Sequence, residues 1–242
     1  MIEIKNISKS FSGKNILNDV SLNIIEGDTV AVIGQSGVGK SVFLKHINGL
    51  MKPDSGAVLI DKVEINSLSF KKKQNLRKNM AMVFQFGALF DSLTIKDNIL
   101  IALNNLTTLN TKDKNLRVKE VLNQVNLVDI EELYPHDISG GMRKRVGVAR
   151  AIAIKPKYIL YDEPTTGLDP ITTDKINRLI KKIRREEKNT SIIVTHEMKI
   201  VNEVANKVVM LYNGKIIFEG SPDEINSSND KYIKYFISGR KG

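Results

Sequence analysis

The chain has 242 residues, 41% of them hydrophobic, and carries 37 Lys and Arg against 27 Asp and Glu, a formal net charge of +10. A chain of this size and apolar content buries a full core, so global disorder is excluded. With no cysteine, disulfides, thiolate metal sites and cysteine catalysis are excluded too, and a reducing compartment fits. No apolar run approaches the roughly 18 to 20 residues that span a bilayer. The N-terminus lacks the basic start and apolar stretch of a secretion signal, so the chain is expected neither to cross a membrane itself nor to be secreted.

In chain order, Ile2 to Ser10 and Val20 to Ile25 read as strands of a β lobe, with Gly56 to Ile65 a third. Between them, Thr29 to Ile33 is a short continuous apolar run, the pattern of a parallel strand buried on both faces. Lys71, Lys72, Lys73, Arg77 and Lys78 read as a solvated helix face. Residues 86 to about 150 carry few strand signals and two expected helices, Asp113 to Val125 and Gly141 to Ile154. Tyr158 to Tyr161 and Ser191 to Val194 are further buried strands. Between these two, Ile176, Leu179, Ile180 and Ile183 recur at helical spacing, turning Lys181, Lys182, Arg184 and Arg185 outward. Val208 to Leu211 and Lys215 to Phe218 flank Asn213-Gly214, a type I′ hairpin signal. The basic residues are spread along the chain and their denser runs are helix faces, so no direct nucleic-acid contact is expected.

Three motifs carry chemistry. The core strands end at Gly34, Asp162 and Thr195, and ligands of parallel sheets gather at strand carboxyl ends. Gly34-Gln35-Ser36-Gly37-Val38-Gly39-Lys40-Ser41 is a complete phosphate loop between a strand and a helix. Its glycines let backbone N–H groups wrap phosphate oxygens, Lys40 reaches the outer phosphates, and the Ser41 hydroxyl suits Mg2+. Asp162-Glu163 closes an apolar strand with two carboxylates, which suggests that Asp162 serves the Mg2+ shell while Glu163 orients the attacking water. Ser139-Gly140-Gly141 opens a helix as another anion site, with Gly141 101 residues beyond Lys40, and is a weak signal by itself.

Together these residues resemble the ATP-binding-cassette (ABC) ATPases, with the order of motifs completed by Gln85, Ile138-Ser139-Gly140-Gly141-Met142, Gly167-Leu168-Asp169 and His196. The resemblance runs from Ile2 to about Glu224. It implies an α/β P-loop NTPase fold, a mostly parallel core sheet with an antiparallel β lobe and a mostly helical subdomain. The chain is expected to be one domain: a core with its β lobe at 1–85 and 151–220, a helical subdomain at about 86–150 and a tail at 221–242. The implied activity is hydrolysis of ATP with Mg2+. By resemblance Phe11 stacks on adenine, Gln85 senses Mg2+ and water, His196 contacts the γ-phosphate, and Asp169 communicates across a dimer. Ser139, Gly140 and Gly141 would touch ATP held by a second copy packed head to tail, giving a homodimer.

Met142 stands where glutamine is usual, and with Phe84-Gln85-Phe86-Gly87-Ala88-Leu89-Phe90-Asp91-Ser92-Leu93-Thr94 and the tail Tyr235 to Gly239 it is similar to the Mla (maintenance of lipid asymmetry) phospholipid transporter ATPases. That likeness implies a multispanning permease docked near residues 86–100, a lipid-binding component, and a peripheral place on the cytoplasmic face of the inner membrane of a double-membraned bacterium. Ile138 replaces the usual leucine, a volume-conserving change. Competing readings are a nutrient-importer ATPase, a soluble ABC ATPase acting on ribosomes or nucleic acid, and a small-molecule P-loop kinase. The kinase leaves the signature and His196 unexplained.

Overall fold

The computed structural model describes residues 1–239. The last three residues of the expected 221–242 tail lie outside them. The chain opens with a hairpin, β1 (Ile2–Phe11) and β2 (Lys14–Ile24). These strands are longer than the sequence pattern suggested, and β2 starts at Lys14 rather than Val20. The tight turn at Ser12 and Gly13, both at positive φ, lets pairing run to Phe11 opposite Lys14. Ile25, expected inside the strand, lies beyond it and is exposed. The expected third strand is two: β4 (Ser55–Ile60) and β5 (Val63–Glu64) are broken by Asp61 and Lys62, which adopt positive φ as a second hairpin turn. These four strands form an antiparallel sheet ordered β2-β1-β4-β5.

The second sheet joins β3 (Thr29–Ile33), β6 (Met80–Val83), β7 (Tyr158–Asp162), β8 (Thr190–Thr195), β9 (Lys207–Tyr212) and β10 (Lys215–Gly220) in the order β10-β9-β3-β8-β7-β6. All neighbours pair in parallel except β9 and β10, the hairpin whose turn residues Asn213 and Gly214 both take positive φ. Strand β6 had no reading in the sequence pattern, being four residues long beside a lysine-rich helix.

Alternation along these strands explains their unbroken apolar runs. Val30 and Val32, Leu160, and Ile192 and Val194 pack under the antiparallel sheet with α1 (Lys40–Ile47). On the opposite face, Ile159, Tyr161 and Ile193 join the core built by α3 (Ile95–Leu106), α4 (Thr111–Gln124), α5 (Gly140–Ala153) and α6 (Pro170–Glu187). Ala31 and Ile33 instead meet α7 (Met198–Val204), α8 (Pro222–Asn226) and α9 (Lys231–Ser238). A strand covered on both faces has no polar side to show.

Local chemistry sets the helix starts. Thr94, Asn110, Ser139 and Asp169 cap α3 to α6, each side chain accepting an N–H three residues on. In α6 the expected stripe of Ile176, Leu179, Ile180 and Ile183 is buried. Arg77 departs from the expected solvated face of α2 (Phe70–Arg77), donating from Nε and Nη2 to the Asn48 and Gly49 carbonyls at the end of α1. Those carbonyls have no helical partner, so a guanidinium that reaches them is held rather than solvated.

Candidate functional site

The carboxyl ends of β3, β6, β7 and β8 lie on one edge of the parallel sheet, where the phosphate loop, Gln85, Asp162, Glu163 and His196 are gathered. The phosphate loop follows β3 in a conformation that glycine makes possible. Gly34 sits at φ 152°, and a Cβ there would lie 2.5 Å from the Leu211 carbonyl oxygen. Gly39, at φ 103°, precedes α1, and a Cβ would meet the Ile16 side chain at 2.9 Å. Lys40, 6% exposed, folds back and donates from Nζ to the carbonyls of Gly34 and Gln35 at 2.8 and 3.0 Å.

Glu163 lies opposite, just past the end of β7. Its carboxylate is gripped on both oxygens: Oε1 is 3.3 Å from Lys40 Nζ, while Oε2 accepts the Thr166 hydroxyl at 2.7 Å and lies 2.7 Å from His196 Nδ1. Its backbone is left-handed, φ 51°, and its N–H donates to the Val194 carbonyl at 3.0 Å. Such a conformation costs on the order of 1 to 3 kcal/mol and persists where neighbouring bonds fix it.

Ser41 donates to Asp162 Oδ1 at 2.9 Å. Burial pushes the Asp162 carboxyl above its usual range; the Ser41 bond opposes this and the Glu163 charge adds to it. A hydroxyl and a carboxylate in contact, where burial disfavours an uncompensated negative charge, fit a hard divalent cation. Among the described residues no group of three or more His, Cys, Asp or Glu could hold a metal ion. Two protein oxygens leave most of a hard cation's shell to phosphate oxygens and water.

A cavity of about 640 Å³ brings Phe11, Gln35, Ser36, Gly37, Gly39, Lys40, Ser41, Gln85, Glu163 and His196 onto one surface. Phe11, at the tip of the β1–β2 hairpin, is 43% exposed, available for stacking rather than packed into the core. Gly34 and Val38 shape the loop without lining the cavity. Ser139, Gly140 and Gly141 do not line it either: they open α5, with Ser139 and Gly140 exposed. Asp169 stands apart as the exposed cap of α6. Five lining residues were not expected in the site: Ile16, Val42, Thr166, Phe236 and Gly239. Thr166 could have been found three residues after Glu163; Phe236 and Gly239 belong to the tail Tyr235 to Gly239, whose family likeness gave them no role in the site.

The model of the ABC transporter family matches residues 17–166. The chain belongs to the ABC transporter family. The cassette is 43% identical over 223 residues, 91% of its length, to the methionine import ATP-binding protein MetN of Carboxydothermus hydrogenoformans, and 38% identical over 99% of its length to the probable ribonucleotide transport ATP-binding protein mkl of Mycobacterium leprae. It spans 66% and 69% of those relatives' own lengths. Among solved structures, a dimeric ATP-binding cassette in a post-hydrolysis state, bound to ADP and Pi, superposes with a TM-score of 0.85 at 32% identity, covering 92% of this chain and 99% of that one. The fold is thus the α/β cassette expected, and the family carries with it the ATPase activity expected. No helix among the described residues is long and apolar enough to cross a membrane.

Proposed function

We propose that this cassette is the ATP-hydrolysing subunit of a membrane transporter that moves phospholipid. The observation that carries the transporter reading is an apolar surface beside the ATP site. Phe84, Phe86 and Phe90 flank Gln85 and are 38%, 79% and 53% exposed. Three exposed phenylalanines within seven residues mark a surface that a partner covers, and a permease docked there would register any movement of Gln85. Phospholipid as cargo is supported by Met142 in the signature and by the Phe84 to Thr94 sequence, both similar to the Mla subfamily.

The chemistry follows from the side chains. Loop N–H groups and Lys40 bind the phosphates, and Phe11 stacks on the adenine, a contact worth about 1 to 3 kcal/mol. Glu163 orients water and accepts its proton as the water oxygen bonds to the γ-phosphorus and the bond to the ADP oxygen breaks. To do so it must release Lys40, which the incoming phosphates attract. His196, on the same carboxylate, is placed to turn to the γ-phosphate. Ser41, Asp162 and Gln85 would hold Mg2+, which when bound neutralises charge on the phosphate oxygens.

Ser139 to Gly141, remote from the chain's own cavity, would complete the ATP site of a second copy, with Asp169 at the shared boundary; the dimeric state of solved cassettes supports this. The assembly would then comprise a homodimer, a permease and a lipid-binding component, with the cassette peripheral on the cytoplasmic face. A second reading, import of a nutrient, is favoured by the methionine importers among its relatives. Purification of the tagged chain from native membranes in mild detergent, with mass spectrometry of proteins and lipids, decides. A permease with a lipid-binding partner and phospholipid is expected; a permease with a solute receptor for an amino acid overturns the lipid cargo, and recovery of ribosomes without membrane protein overturns the transporter reading.

A further inference from the structure

Lys144 lies on α5 between the signature and the core of the helix, and it is only 7% exposed. Burial lowers its pKa, while the nearby charges of Glu197 and Glu163 raise it in part. An ammonium carries three donors and is costly to bury, so its place calls for a compensating role. The one hydrogen bond its side chain makes among the described residues is from Nζ to the backbone carbonyl of Thr166, at 2.6 Å. Thr166 in turn donates its hydroxyl to Glu163 Oε2 at 2.7 Å. Two consecutive hydrogen bonds therefore connect the signature helix to the carboxylate proposed as the base.

The same helix touches the far end of the intervening loop. A Cβ on Gly141 would lie 2.7 Å from Thr172 Cγ2, so only a glycine lets the start of α5 rest on the first turn of α6. Thr172 is fixed there by Asp169, which accepts both its N–H, at 2.9 Å, and its hydroxyl. Residues 166–172 thus lie between two contacts with α5, one at each end. Glu163 itself is left-handed, so its aim depends on those surrounding bonds rather than on its own backbone preference.

We propose that Lys144 is a positioning residue for Glu163. Its charge-assisted bond holds the Thr166 carbonyl, Thr166 holds the carboxylate, and a shift of α5 when Ser139 to Gly141 engage nucleotide on a second copy re-aims Glu163 in the same chain. The proposal rests on the reading of Glu163 as the general base. It differs from plain stabilisation of α5 in its kinetic consequence: the defect falls on the chemical step and runs through Thr166.

The test uses the full chain with ATP and Mg2+. Lys144→Met keeps the apolar stem and removes the donor; kcat is expected to fall about tenfold or more, since small displacements of a reacting group are this costly, while KM for ATP stays within about twofold because Phe11 and the phosphate loop are untouched. Lys144→Arg, which keeps a cationic donor, is expected to recover most of the loss. In a Thr166→Val background the link to Glu163 is already cut, so Lys144→Met is expected to cost less than about twofold more. Wild-type kcat in Lys144→Met, or a loss undiminished in the Thr166→Val background, overturns the proposal while Glu163→Gln remains inactive. A loss shared equally by kcat, KM and thermal midpoint, and not restored by arginine, also overturns it in favour of a structural role. Retained turnover in Glu163→Gln overturns the reading of the base and the proposal with it.

Discussion

In Glu163→Gln, binding and turnover should move in opposite directions, and the structure sets the size of the binding effect. Lys40 Nζ lies 3.3 Å from Glu163 Oε1 and also donates to two loop carbonyls. At that separation and an effective dielectric near 20, the bare attraction is about 5 kcal/mol. Desolvation of a pair exposed by only 6% and 14% takes back most of it, leaving about 1 kcal/mol that incoming phosphates must overcome. Glutamine keeps the shape and removes the charge, so a non-hydrolysable ATP analogue should bind about fivefold tighter. Turnover should fall by about 10² to 10⁴, because the water loses its base. Fluorescence anisotropy with a labelled analogue reads the first quantity, and phosphate release reads the second. Unchanged or weaker analogue binding would refute the resting ion pair as a competitor for Lys40, and retained turnover would refute Glu163 as the base.

Two further outcomes are expected. A mixture of Lys40→Ala and Ser139→Ala chains should hydrolyse ATP faster than either variant alone, because a head-to-tail dimer of the two regains one intact composite site; phosphate release no higher than in the parents removes that arrangement. Acid stability should report Asp61: burial alone would raise its carboxyl, but bonds from Tyr158, Lys157 and the Met1 ammonium outweigh this and hold it at about 2, below its ordinary 3.8. A depressed carboxylate stabilises the fold above its unfolded value and loses that contribution as pH falls through the folded one. With the side chain 44% exposed, screening leaves about 1 kcal/mol. Urea denaturation of Asp61→Asn should therefore lie about 1 kcal/mol below wild type at pH 7 and about half as far below at pH 3; a gap that does not narrow refutes the assignment.

Much of the site was legible because its parts are local. A phosphate loop needs glycines, a lysine and a serine at fixed covalent spacing, and the Asp162-Glu163 pair needs only an apolar strand before it, so both survive in a one-dimensional reading. Short or polar pieces were not legible. Strand β6 has four residues and a lysine-rich helix before it, and the hairpin of β1 and β2 outran its apolar pattern because Ser12 and Gly13 turn the chain tightly. The cap Thr94, with Asp97 three residues on, does mark the start of α3, but more weakly than the signals of the helices downstream.

What the sequence by itself determined is the chemistry available: which loop can cradle phosphate, which strand ends in carboxylates, and which runs are buried on both faces. What only the tertiary structure decided is who holds whom. That Lys40 reaches Glu163, that Phe236 of α9 lines the cavity, that Gly141 must stay small for Thr172, and that Lys144 bonds a carbonyl 22 residues away are contacts between segments with no mutual spacing rule. Covalent geometry fixes what neighbours in sequence can do, whereas the meeting of distant side chains is fixed only when the sheet and its helices pack.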